Sequence, residues 1–258
     1  YLSQDGEDNA RKAALEAARA LELSPNNVDA MFAYALAKKS LGEDREALDW
    51  MEKATNIDSR NNNLVVELVK TCIKLHDNEK ALRWLETLSQ RPDFRNTAWL
   101  ETTRAVALKW LSRKREAINL LHKTLETQPQ NSIVRHELLE LLISNCIYDE
   151  ARKVAREGLA INPQDHQMRV HAARAHAGLG DYDKAFDELS LAERANPNDI
   201  KIYLTRARLY YKQGDFASAV AAAKQGLEHR APAGFRALLL ISLAKSYSRI
   251  GQHEAALA

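Results

Sequence analysis

Residues 180–199 read GDYDKAFDELSLAERANPND, and the offsets within that stretch decide the fold. A Gly-Asp pair opens it, an aromatic follows at Tyr182, alanines stand at Ala185 and Ala192, and Pro197 closes it. The arrangement recurs as GDFASAV at 214–220, IYDEARK at 147–153, DNEKALRWL at 77–85 and GEDREALDWM at 42–51. Aligning the alanine after each turn gives Ala13, Ala47, Ala81, Ala117, Ala151, Ala185, Ala219 and Ala256, at intervals of 34, 34, 36, 34, 34, 34 and 37 residues. A period that steady along a whole chain is the mark of stacked units rather than one large core.

The six prolines keep the same phase. Pro25, Pro129, Pro163 and Pro197 fall twelve residues after a phase alanine, and Pro92 and Pro232 fall eleven and thirteen after one. Proline cannot continue a helix interior, so each marks the end of one helix and the turn into the next unit. Between the turns the apolar residues keep a helical period, as in Tyr203, Ala207 and Tyr210, then Phe216, Ala219, Val220 and Ala223 after Gly214. Each unit is therefore expected to be two helices of about a dozen residues joined by a tight turn. Small residues stand where the paired helices must approach: Ala35, Ala105, Ala173, Ala207 and Ala244 on the first helix, and the phase alanines on the second.

Composition narrows the function classes. The 258 residues are 45% hydrophobic and 28% charged, which excludes a disordered chain, and no apolar run nears the roughly 18 residues of a membrane helix, so no membrane insertion is expected. A net charge of +2 is not that of a polycation, so no nucleic-acid partner is expected. Cys72 and Cys146 lie far apart within apolar helical patterns and read as buried free thiols, which favours a cytoplasmic setting without excluding a periplasm.

With these residues in phase, the chain resembles the tetratricopeptide repeat family from end to end. The match consists of the small eighth residue, the aromatic eleventh (Tyr210, Tyr247), the turn glycine, an aromatic two later (Tyr148, Tyr182, Phe216), the phase alanine, a small residue seven further on (Ala20, Ala54, Gly158, Ala192, Gly226) and the closing proline. The resemblance implies an all-α fold, a right-handed superhelical solenoid of antiparallel helix pairs, as a single array over residues 1–258. Units start near 28, 62, 98, 132, 166 and 200, with a half unit before them and another starting near 237. Tyr1, Leu2 and Ala258 read as cut ends, so a longer parent protein is expected. Departures fall at Val69 and Leu139, in the small position, and at Ser112 and Lys114, in the turn. Units three to five are therefore expected to be the looser part of the stack.

No catalytic grammar is present: no glycine-rich phosphate loop, GxSxG, HExxH or paired-cysteine motif occurs. His166, His171 and His176 stand five apart, which turns each about 140° from the last on a helix, so they cannot converge on a metal. Neither catalysis nor a cofactor is expected. Carboxylates followed by basic residues one turn later, as in Glu79 and Arg83, read as solvated helix faces.

The resemblance places function on the concave wall, lined by first helices at the second, fifth, ninth, twelfth and thirteenth positions. These read Phe32, Leu36 and Lys39; Val66, Lys70 and Lys74; Trp99, Val106, Lys109 and Trp110; His136 and Glu140; Arg174; Lys201, Arg208, Tyr211 and Lys212; and Lys245 and Arg249. Apolar groups dominate early, whereas Arg174, Arg208 and Lys245 hold the ninth position of three successive units as a basic ladder. The expectation is a non-catalytic scaffold for protein–protein interaction that binds an extended peptide or protein, with acidic groups of the partner on the ladder. Asparagine is absent from the sixth and ninth positions, which removes the family's carboxylate clamp and its asparagine ladder. Two alternatives stay open: the periplasmic repeat region of a bacterial exopolysaccharide export protein that recruits export enzymes, and a substrate-selecting region fused to a glycosyltransferase-like enzyme.

Overall fold

The computed structural model describes residues 4–230 and 232–252. Tyr1, Leu2, the last phase alanine Ala256 and Ala258 lie outside them. Among the described residues the chain forms fourteen α-helices and no strand: α1 (Gln4–Leu23), α2 (Val28–Ser40), α3 (Asp44–Ile57), α4 (Asn62–Lys74), α5 (Asn78–Ser89), α6 (Thr97–Trp110), α7 (Lys114–Thr127), α8 (Ser132–Ser144), α9 (Tyr148–Ile161), α10 (His166–Gly178), α11 (Tyr182–Ala195), α12 (Ile200–Gln213), α13 (Phe216–Glu228) and α14 (Ala233–Ile250). The last of these begins one turn ahead of the start expected near 237. The chain divides into two compact units, residues 1–120 and 121–258.

Two local devices set this rhythm. The even-numbered helices α2 to α12 open on an asparagine or aspartate whose side chain accepts a hydrogen bond from a backbone N–H of the first turn: Asn27, Asn61, Asn96, Asn131, Asp165 and Asp199. Such caps satisfy a donor that the helix cannot pair internally. At the other end, the chain reverses through one residue at positive φ, followed by a backbone N–H that bonds five residues back: Glu43 to Lys38, Asp77 to Cys72, Arg113 to Leu108, Ile147 to Leu142, Asp181 to His176, Asp215 to Tyr210 and Gln252 to Tyr247. This is the six-residue loop of a Schellman motif. Glycine supplies the positive φ at Gly42, Gly180, Gly214 and Gly251, whereas His76, Ser112 and Cys146 adopt it at φ 59–61°. Cys146 therefore sits exposed on a turn, not buried as its apolar surroundings suggest; only Cys72 is buried, and burial pushes its thiol up to about 12.

The phase alanines Ala47, Ala81, Ala117, Ala151, Ala185 and Ala219 are all fully buried. Ala13 is the exception. It lies exposed on α1, which turns Ala10, Ala14 and Ala17 inward instead. Ala244 is only half-buried. Val69 and Leu139 are fully buried in the small position. The room they need comes from spacing: α4 with α5, and α8 with α9, run close together over less of their length than α2 with α3, α10 with α11 or α12 with α13. Looseness thus appears as wider helix separation and not as exposure.

In the first unit one continuous core joins Met31, Met51, Leu64, Leu68, Leu85 and Leu100, with Trp50, Trp84 and Trp99 packed on its edge. In the second, one cluster gathers Val170, Ala185, Leu189 and Ile202 between α10, α11 and α12, and another gathers Leu204, Ala223 and Leu239 between α12, α13 and α14.

Candidate functional site

In the first unit the candidate wall residues on α2, α4 and α6 divide by chemistry. Phe32, Val66 and Trp99 are half-buried against the core, and Phe94 meets the Trp99 ring edge-on at 6.1 Å. Val106 is half-buried as well, Leu36 is exposed, and Trp110 is the most open of the large apolar groups on this wall, 57% exposed and touched edge-on by the His76 ring at 4.9 Å. Three of the four candidate lysines here are already engaged, and Lys109 has no ion pair among the described residues. Lys39 and Lys70 both donate to Glu67 at 2.6 Å, and Lys74 reaches Asp44 at 2.7 Å. Burial alone would raise the Glu67 carboxyl, but these two lysines outweigh it and hold it below its ordinary value. The first-unit wall is therefore an apolar and aromatic surface on which Lys39, Lys70 and Lys74 are neutralised by Glu67 and Asp44.

In the second unit, α10 packs directly against both α8 and α12, and α12 against α14, so the first helices of successive repeats form one row. His136 and His171 face each other across α8 and α10 with ring centroids 5.3 Å apart. His136 lies 3.2 Å from Asp165, and His166 lies 3.2 Å from Asp199, so two helix-capping aspartates also receive imidazoles from the repeat before. Burial drives the His171 imidazole down to about 4 and lowers His136, although Glu140 and Asp165 respectively oppose it. Both histidines are held neutral at pH 7.

The basic ladder is only partly free. Arg174 donates to Glu140 at 2.6 Å, bridging the ninth positions of adjacent repeats. Arg208 has no hydrogen bond or ion pair among the described residues, and desolvation together with the neighbouring Arg174 charge lowers its pKa from the ordinary value. Lys212 and Lys245 are exposed and likewise form no ion pair among the described residues. Lys201 sits over the Phe235 ring, and Arg249 over Phe216, which also meets Tyr211 edge-on. The sequence list missed His171, Asp165 and Asp199. The two aspartates were readable as members of the capping row at the repeat period, whereas His171 depends on its neighbours in space.

Among the described residues no group of three or more metal-ligating side chains converges. His166, His171 and His176 separate as expected, one beside Asp199, one buried beside Glu140, and one near Asp181. Among the described residues Glu79 and Arg83 form no ion pair. Other one-turn pairs do, including Glu7 with Arg11 and Asp149 with Arg152.

Comparison with known proteins agrees with this architecture. A family model described as tetratricopeptide repeat matches residues 115–177 and 176–240, and a second, described as tetratrico peptide repeat, matches 28–130. A tetratricopeptide repeat protein from Parabacteroides merdae superposes with a TM-score of 0.70 at 20% identity, over 89% of each chain. YrrB, a repeat protein described as having an unusual peptide-binding site, superposes with a TM-score of 0.53 at 19% identity, over 78% of this chain and all of its own. Anaphase-promoting complex subunit 3 of Dictyostelium discoideum is 27% identical over 84 residues, 33% of this chain, and the match spans 9% of that protein. Proteins of this class generally mediate protein–protein interactions. The chain belongs to the tetratricopeptide repeat family.

Proposed function

We propose that the chain is a non-catalytic scaffold that binds a partner protein on the face built by its first helices, with an acidic segment of the partner on the second unit. One observation carries this reading. Arg208 is an exposed cation with no counter-charge among the described residues, partly desolvated at its base and set close enough to Arg174 for the two to repel. An anion supplied by a partner would pair a cation that has no counter-charge and relieve its repulsion with Arg174. Lys212 and Lys245 extend the same positive surface, and the peptide-binding site of YrrB is a precedent on a similar fold. On the first unit, Trp99, Trp110, Val66, Leu36 and Phe32 offer an apolar surface for a partner's hydrophobic side chains.

The test is affinity capture from a lysate of the source cell by the parent chain and by Arg208→Glu with Lys245→Glu, with bound proteins quantified by mass spectrometry. Proteins lost from the double variant support recognition on this face. Equal capture by both chains would remove the basic surface from the mechanism.

A further inference from the structure

A second charged surface lies on the opposite side of the helix pairs in the second unit. There α9 and α11 flank a cleft of about 810 Å³ whose floor is α10. Five lysines and arginines line it against two carboxylates. Both carboxylates are taken, Asp149 by Arg152 at 3.2 Å and Glu188 by Arg169 at 2.8 Å. Lys184 is held by Asp181 at 2.5 Å. Lys153 and Arg156, one turn apart on α9, form no hydrogen bond or ion pair among the described residues and are exposed.

Comparable clefts elsewhere neutralise themselves. One of about 390 Å³ in the first unit pairs Arg104 with Glu86 and Arg113 with Glu116. One of about 270 Å³ in the second unit, which shares Lys153 with the cleft between α9 and α11, has three carboxylates, of which Glu150 takes His122 at 2.7 Å. The cleft between α9 and α11 is the largest of the three and the one with surplus positive charge. Its base is not purely polar, because Leu159 and Ala160 of α9 and Ala172 of α10 also line it.

We infer that this cleft is a second docking site, for an acidic peptide segment with interspersed small apolar residues. The free Lys153 and Arg156 supply charge complementarity, and the apolar base supplies contact area that a bare anion would not use. A volume of this size also exceeds what a single phosphate or carboxylate fills. The site is independent of the first-helix face, since it shares none of that face's residues.

The test is fluorescence anisotropy at low salt with a fluorescein-labelled peptide of glutamate with interspersed alanine and leucine, titrated with four chains. The parent binds, and Lys153→Glu with Arg156→Glu weakens binding by at least about tenfold, as loss of two favourable charges and gain of two repulsive ones requires. Lys153→Gln with Arg156→Gln gives an intermediate loss. Arg208→Glu with Lys245→Glu removes the basic surface of the first-helix face, and the binding that remains in it but is lost from the Lys153 and Arg156 variants belongs to this cleft. All four chains are compared by helical content, so that a folding defect is not read as lost binding. The inference is overturned by a parent chain that does not bind, by unchanged affinity in the Lys153 and Arg156 variants, or by a single-stranded oligothymidylate that displaces the peptide and binds more tightly than it does.

Discussion

Five of the helix pairs divide into two kinds, and α6 with α7 mixes them, with Ala105 and Ala117 buried in the small positions but Ser112 at the turn. In α2 with α3, α10 with α11 and α12 with α13, both helices carry a fully buried alanine in the small position, the helices stay close along their length, and the turn between them runs through glycine. In α4 with α5 and α8 with α9, Val69 and Leu139 replace the first alanine, the helices stand further apart, and His76 and Cys146 occupy the glycine position. Yet Val69 and Leu139 are as buried as any alanine, and the six-residue turn bond forms at 2.9 Å in both wide pairs. The hydrogen-bonded turn fixes the connection, and the residue at the close position sets the separation. A repeat can change one without losing the other.

The largest expected effect tests that division directly. Ala185→Arg on α11 places a charged side chain in a close pair and should cost at least about 3 kcal/mol, from overpacking and an unpaired buried charge. Ala151→Arg on α9 faces the wider gap beside Leu139, where the new side chain has more room to reach water, and should cost about 1 kcal/mol less. Urea midpoints of both variants decide the matter. Equal losses would mean that the difference in spacing carries no energetic weight.

A medium effect belongs to the seam where the two kinds of repeat meet, between α8 and α10. His171 is about nine-tenths buried there, its side chain 9% exposed, and burial holds it near 4, against about 6.5 in an unfolded chain. Between these values the unfolded chain takes up a proton that the folded chain refuses. Stability from this residue is thus fully present above pH 6.5 and falls as the pH drops toward 4. The loss approaches about 1.4 kcal/mol per pH unit, on the order of 3 kcal/mol across the window. His171→Gln should flatten this part of the stability profile measured by urea melts from pH 7 to pH 4. A variant with the parent's slope would show that other groups carry it.

What could be read from the sequence follows the same physics. The phase alanines were legible because a close helix pair leaves a single tolerable size at one recurring place, and sequence period alone exposes that demand. Val69 and Leu139 were legible as departures from it. Cys146 was not, since the periodicity of an apolar pattern does not show which neighbours cover a residue on a turn. The ladder was half legible. Recurrence of cations at the ninth position placed Arg174 and Arg208 correctly on neighbouring helices, but whether each finds a carboxylate depends on the residue at the same position one repeat away. Glu140, 34 residues before Arg174, neutralises one rung, and no such partner reaches Arg208. The cleft between α9 and α11 escaped for a related reason: Lys153 and Arg156 read as an ordinary solvated face until the partners of every surrounding charge are known.

The smallest effect sharpens the turn half of the comparison. Ser112 holds φ at +61°, a region that costs a residue with a Cβ roughly 1–2 kcal/mol, and its exposed side chain has no hydrogen bond among the described residues, unlike His76 against Trp110 or Cys146 beside the Tyr148 hydroxyl. Ser112→Gly should relieve that strain while making the unfolded chain more flexible, an opposing change of about 0.4–1 kcal/mol. The net expectation is a gain of about 0.5 kcal/mol. Gly180→Ala is the mirror experiment, at φ +85° with open space around the added methyl, so only the backbone resists and a loss of similar size should follow. Thermal midpoints of the two variants should therefore move in opposite directions. If both fell, something beyond backbone conformation would hold the non-glycine turns in place, and the two kinds of repeat would differ in their turns as well as in their spacing.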